Sequence, residues 1–106
     1  MSKGNTLIER NMVAIRALAE EYDVARLEVF GSATTDEFDP SRSDIDFLNE
    51  YKPDTNLGPW LTRYFELQER LEALLGHPVD LVMTDALENQ RFLRLANETR
   101  RLLYAA

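Results

Sequence analysis

Asp44-Ile45-Asp46 sets two carboxylates two residues apart. In an extended strand that spacing turns both side chains to one face, with Cα atoms roughly 6.7 Å apart. At an effective dielectric of about 20 their repulsion is about 2.5 kcal/mol, a sizeable part of the ~5–15 kcal/mol that holds a domain together. A divalent cation relieves it, because Mg2+ takes oxygen ligands and is held by one or two carboxylates, with water and phosphate oxygens completing its octahedron. A third carboxylate, Asp80, stands alone in the apolar run Val79-Asp80-Leu81-Val82-Met83, where a buried charge without a partner is costly. If the strands carrying Asp46 and Asp80 are neighbours, three carboxylates meet. That is enough to hold two metal ions about 3.5–4 Å apart for in-line displacement at phosphorus, one activating the attacking hydroxyl and both steadying the departing pyrophosphate. Upstream, Gly31-Ser32 interrupts an apolar run. A glycine permits close backbone approach, and a helix start after it offers N–H groups to phosphate oxygens, with the Ser32 hydroxyl as a further donor. Ser32 as a plain helix N-cap would use the same N–H groups.

The elements that must position these residues follow from periodicity. Leu7, Ile8, Met12, Ile15, Leu18, Ala19 and Tyr22 recur at three- and four-residue spacing and predict an amphipathic helix over 6–22, with Thr6 as a cap ahead of Glu9. Residues 25–30, with Leu27 and Val29 alternating with Arg26 and Glu28, predict a strand that ends at Gly31. The small, polar stretch 33–43 is a turn, and strand character resumes over 44–51 through Ile45, Phe47 and Leu48. A second helix is expected over 57–75, stopped by Gly76, and residues 79–83 read as a buried strand with one odd member, Asp80. The last segment, 86–104, is expected to be helical with Phe92, Leu95, Leu102 and Leu103 near one face. Trp60, Tyr64 and Phe65 could stack on a base, but aromatic side chains at helical spacing are more often core. His77, ahead of a proline at a strand entrance, is assigned no role. The order of elements predicts an α/β or α+β fold, a small sheet with helices packed on it.

Composition bounds the function. With 106 residues the chain has room for one domain, 1–106, with one core, and 44% hydrophobic against 29% charged residues is an ordinary globular balance. There is no cysteine, so disulfides and thiolate metal sites are excluded. Nothing resembles a signal peptide or a membrane helix, so a cytoplasmic location is expected. The formal charge of −7 argues against binding nucleic acid through its backbone and suits a basic protein partner, or simple solubility.

The order Gly31-Ser32, eleven residues, Asp44-Ile45-Asp46, then Asp80 in Val79-Asp80-Leu81-Val82 resembles the minimal nucleotidyltransferases of the DNA polymerase β superfamily, which are antitoxins paired with HEPN-domain ribonuclease toxins. Arg101-Leu102-Leu103-Tyr104-Ala105 is similar to the family's C-terminal segment. The resemblance implies a small mixed β-sheet flanked by helices, Mg2+ held by Asp44, Asp46 and Asp80 as two ions, and ATP bound at Gly31 and Ser32. It also implies transfer of AMP to a tyrosine of the HEPN toxin. Where members carry a basic residue after Gly-Ser, this chain has Ala33-Thr34-Thr35-Asp36, so triphosphate binding would be weaker or would lean on Arg42. Glu88-Asn89-Gln90-Arg91 replaces a family Arg-Asn-Pro-Tyr. Two alternatives remain: an antitoxin that masks its toxin without catalysis, and nucleotidyl transfer to a small molecule or an RNA end.

Overall fold

The computed structural model describes residues 3–34, 39, 44–83 and 99–106, the side chains of residues 3–5 and of Ser32 apart. The N-terminal helical stretch is two helices, α1 (Lys3–Arg10) and α2 (Met12–Glu21), broken at Asn11. In a continuous helix the Asn11 N–H would donate to the Leu7 carbonyl. Here the Asn11 side-chain amide takes that carbonyl at 2.9 Å, and its N–H turns to Ile8 O at 3.1 Å. Asparagine competes with the backbone in this way, and the break results. Because α1 starts at Lys3, Thr6 lies inside it and does not cap it.

Strand β1 (Val24–Phe30) leads into a single 3-10 turn, Gly31–Thr34. Strand β2 (Ile45–Tyr51) is followed by a 3-10 turn at Pro59–Leu61, helix α3 (Thr62–Leu75), β3 (Val79–Met83) and β4 (Arg101–Ala105). Gly76 closes α3 in the left-handed conformation, φ 70°, and donates its N–H to Glu72 O. The sheet order is β3-β2-β1-β4. β1 pairs antiparallel with β2 and β4, whereas β2 and β3 are parallel, as two strands joined by a helical crossover must be.

Leu27, Val29, Ile45, Phe47, Leu81 and Leu103 form one side of the core, against Ile8, Ile15, Leu18, Leu67, Leu71 and Leu75 from the helices. The period of two then places Arg26, Glu28, Phe30, Asp46, Leu48 and Asp80 on the opposite face of the sheet. Phe30 and Leu48 are buried there, outside the core cluster.

The helix expected to reach Tyr104 does not. Residues 101–105 are a strand against β1, with Leu103 buried and Leu102 48% exposed. Three consecutive apolar residues fit either period, and pairing with an open strand edge decides it. The 86–98 part of that expectation, the Glu88–Arg91 segment and Arg42 lie outside the described residues. The aromatic residues of α3 also divide: Tyr64 packs on the core, whereas Trp60 is 93% exposed and Phe65 51% exposed. Among the described residues no helix is long and apolar enough to cross a membrane.

Candidate active site

Parallel pairing of β2 with β3 sets Asp46 directly opposite Asp80. Adjacent strands lie about 4.8 Å apart, so the two carboxylates leave the sheet side by side on the face away from the helices. Asp44 precedes β2 by one residue and is exposed, two positions from Asp46. The three aspartates singled out by spacing therefore come to one end of the sheet. Against the expectation of a buried position, Asp80 is exposed on an edge strand. Its apolar neighbours Val79 and Leu81 point into the core, and the alternation of the strand turns Asp80 out.

Asp46 is the half-buried member. Burial, and then the negative charges of Asp80 and Asp44, push its carboxyl up to about 6. Tyr64 stands next to β3, its hydroxyl donating to the carbonyl of Leu81, the neighbour of Asp80. Burial and the Asp80 charge raise the Tyr64 phenol above its ordinary value.

On the other side of Asp46 is β1, with Phe30 as its register partner and Gly31 next in the chain. Gly31 has φ 75°, and a Cβ there would stand 2.8 Å from Asp46 Oδ2. Glycine is required twice, for the left-handed backbone and for the close approach of the carboxylate. The helix start expected after it is a four-residue 3-10 turn, stapled by the Thr34 hydroxyl donating to Gly31 O at 2.9 Å, with Ala33 buried in the core. The Gly31 N–H is not offered to a phosphate, because it donates to Thr99 Oγ1 at 2.8 Å. Thr99 escaped sequence reasoning, since nothing local marks a contact 68 residues away in the chain. The Ser32 backbone follows Gly31 in the turn, and its hydroxyl lies outside the described side chains.

Among the described residues no group of three or more His, Cys, Asp or Glu side chains is gathered closely enough to hold a metal ion by itself. An open seat fits better: adjacent Asp46 and Asp80, with Asp44 beside them, repel one another, and Mg2+ needs only one or two carboxylates with the rest of its shell supplied by water and phosphate. Such an arrangement can bind a metal-bound polyphosphate and accept a proton from a hydroxyl brought up to it.

A model of the nucleotidyltransferase domain family matches residues 12–103. Protein adenylyltransferase MntA of Thermococcus cleftensis is 39% identical over 74 residues, covering 70% of each chain. A solved minimal nucleotidyltransferase superposes with a TM-score of 0.71 at 27% identity, covering 95% of both chains. A complex of the tri-AMPylated Shewanella oneidensis HEPN toxin with its MNT antitoxin gives a TM-score of 0.63 at 18% identity, covering 92% of this chain and 72% of that one, a likeness of fold. The match over residues 12–103 and the identity to that adenylyltransferase show that the chain belongs to the nucleotidyltransferase domain family.

Proposed function

We propose that this chain is an antitoxin that transfers AMP from ATP to a tyrosine of a cognate HEPN ribonuclease toxin and so silences it. The observation that carries the reading is the Asp46–Asp80 register pair beside Gly31, with the Asp46 carboxyl pushed up to about 6. Of the relatives named above, one is named a protein adenylyltransferase and another is complexed with an AMPylated toxin, which supports protein as the acceptor. One minimal domain carries the site, and its place of action is the cytoplasm.

Asp44, Asp46 and Asp80 would hold Mg2+, one ion or two, which supplies charge neutralisation at the phosphates. Gly31 lets the backbone of the turn approach the nucleotide, and Ser32 adds its hydroxyl to the triphosphate. Asp80, exposed at the sheet edge, faces the incoming acceptor and takes the proton of the tyrosine hydroxyl. The tyrosine oxygen attacks the α-phosphorus, the bond from that phosphorus to the bridging oxygen breaks, and pyrophosphate leaves with the electron pair. Tyr64 orients the β3 backbone through its bond to Leu81 O, next to Asp80.

A second reading, neutralisation by binding alone, draws on Trp60, Leu61 and Phe65, which leave an apolar surface exposed beside the start of α3. Co-expression with the toxin separates the two. The double variant Asp44→Asn/Asp46→Asn is expected to lose protection while still co-purifying with the toxin. Full protection by that variant would leave masking as the mechanism.

A further inference from the structure

The face of the sheet that carries the aspartates also carries a buried acid. Glu28 is only 3% exposed, in the middle of β1, and both of its oxygens are bound by guanidinium groups. Arg26 donates through Nε and Nη2 to Oε1, at 3.2 and 2.9 Å. Arg100 donates through Nε and Nη2 to Oε2, the former at 2.9 Å. Burial pushes the Glu28 carboxyl up, but the hydrogen bonds and charges of Arg100 and Arg26 outweigh it and hold the group below its ordinary value. Among the described residues two cations share this one anion.

Register fixes where the Arg100 backbone sits, with its guanidinium reaching back to Glu28. Val29 pairs with Arg101, so the next two steps along the antiparallel pair put Arg100 beside Phe30 and then Thr99 beside Gly31. The bond from Gly31 N–H to Thr99 Oγ1 confirms the second of these placements. Phe30 pairs with Asp46, and Asp46 with Asp80. One row of backbone positions across the end of the sheet therefore reads Asp80, Asp46, Phe30, Arg100, with the Arg100 Cα about 9.6 Å, two strand spacings, from that of Asp46. The Gly31–Thr34 turn adjoins the row and contains no cation of its own.

We propose that Arg100, held in place by Glu28 and by the Thr99 anchor on Gly31, is a nucleotide-binding residue that engages the β- and γ-phosphates of ATP while the α-phosphate lies at the aspartates. This rests on the nucleotidyl-transfer reading and adds to it the residue that distinguishes a nucleoside triphosphate from a monophosphate. A guanidinium suits the task because its planar fork matches phosphate oxygens and stays charged at all working pH values. The Glu28 carboxylate fixes the side chain before the nucleotide arrives, so less rotamer freedom is lost on binding. Arg26 keeps that carboxylate from cancelling the Arg100 charge.

The test is equilibrium binding of ATP and of AMP, each with Mg2+ and without acceptor, to the wild-type chain, Arg100→Ala and Arg100→Lys. Loss of a charge-assisted contact predicts about 10–100-fold weaker ATP binding for Arg100→Ala, with AMP binding changed less than about twofold. Arg100→Lys, which keeps the charge and stands in if the alanine variant does not fold, should retain part of the preference for ATP over AMP. ATP binding unchanged in either variant, or ATP and AMP affinities falling in parallel, would overturn the assignment of Arg100 and leave the reaction intact. A wild-type chain that binds no ATP would overturn the nucleotidyl-transfer reading and this inference with it.

Discussion

At the scale of single residues, Asp46 sets function against stability. Its carboxyl ionises near 6 in the fold, against an ordinary value of 3.8. The neutral form is the better tolerated one, so the stability it allows is fully present below about pH 4 and is lost as pH rises through about 6. Asp46→Asn, which is always neutral, should therefore melt higher than the wild-type chain at pH 7.5. The gain should be on the order of 1–2 kcal/mol, roughly 5–10 °C, and should shrink as the pH is lowered from 6 to 4. The same variant should lose AMP transfer. Thermal melts at pH 7.5 and pH 4.5 check the sign, and a variant that melts lower at pH 7.5 would contradict the repulsion described here. If Mg2+ relieves that repulsion, millimolar Mg2+ should raise the melting temperature of the wild-type chain at pH 7.5 and leave Asp44→Asn/Asp46→Asn unmoved. Gly31→Ala faces both a left-handed φ and Asp46 Oδ2 at 2.8 Å. It should cost about 1–3 kcal/mol in stability and abolish transfer, measured by melting and by AMP incorporation.

At the scale of elements, β4 is the piece that local pattern misassigned. Val24–Phe30, Ile45–Tyr51 and Val79–Met83 were legible as strands because alternation or turn residues bound each of them. In Arg101-Leu102-Leu103-Tyr104 the apolar residues are consecutive, and only the open edge of β1 selects the extended state. The same limit hid Glu28 and Arg100, which are 72 residues apart in the chain. Glu28 was visible as the outward member of an alternating strand, but its burial depends on what reaches that face. Asp44, Asp46 and Asp80 were legible as a set, while the register that makes Asp46 and Asp80 partners was not, because strand adjacency is a tertiary fact. Leu103 is 2% exposed and belongs to the core. Leu103→Ala should cost about 2–4 kcal/mol and loosen the Thr99–Gly31 staple along with β4, visible as faster amide exchange at Gly31.

At the scale of the molecule, the described helices pack on one face of the sheet and the aspartates gather at one end of the other. That division leaves Asp44 and Asp80 exposed and Asp46 and Gly31 half-buried at that end of the sheet, while Trp60 and Phe65 stand exposed near the start of α3, toward the opposite end of β2. The net charge of −7 favours encounter with a basic partner and makes that encounter sensitive to salt. The central claim is chemical: the partner is changed covalently, not merely covered. Intact-mass measurement of the HEPN toxin, after incubation with this protein, ATP and Mg2+, tests it most directly, with Asp44→Asn/Asp46→Asn run alongside. A gain of whole AMP units with the wild-type chain and none with the double variant is the predicted result; a toxin silenced by the wild-type chain at unchanged mass would contradict it.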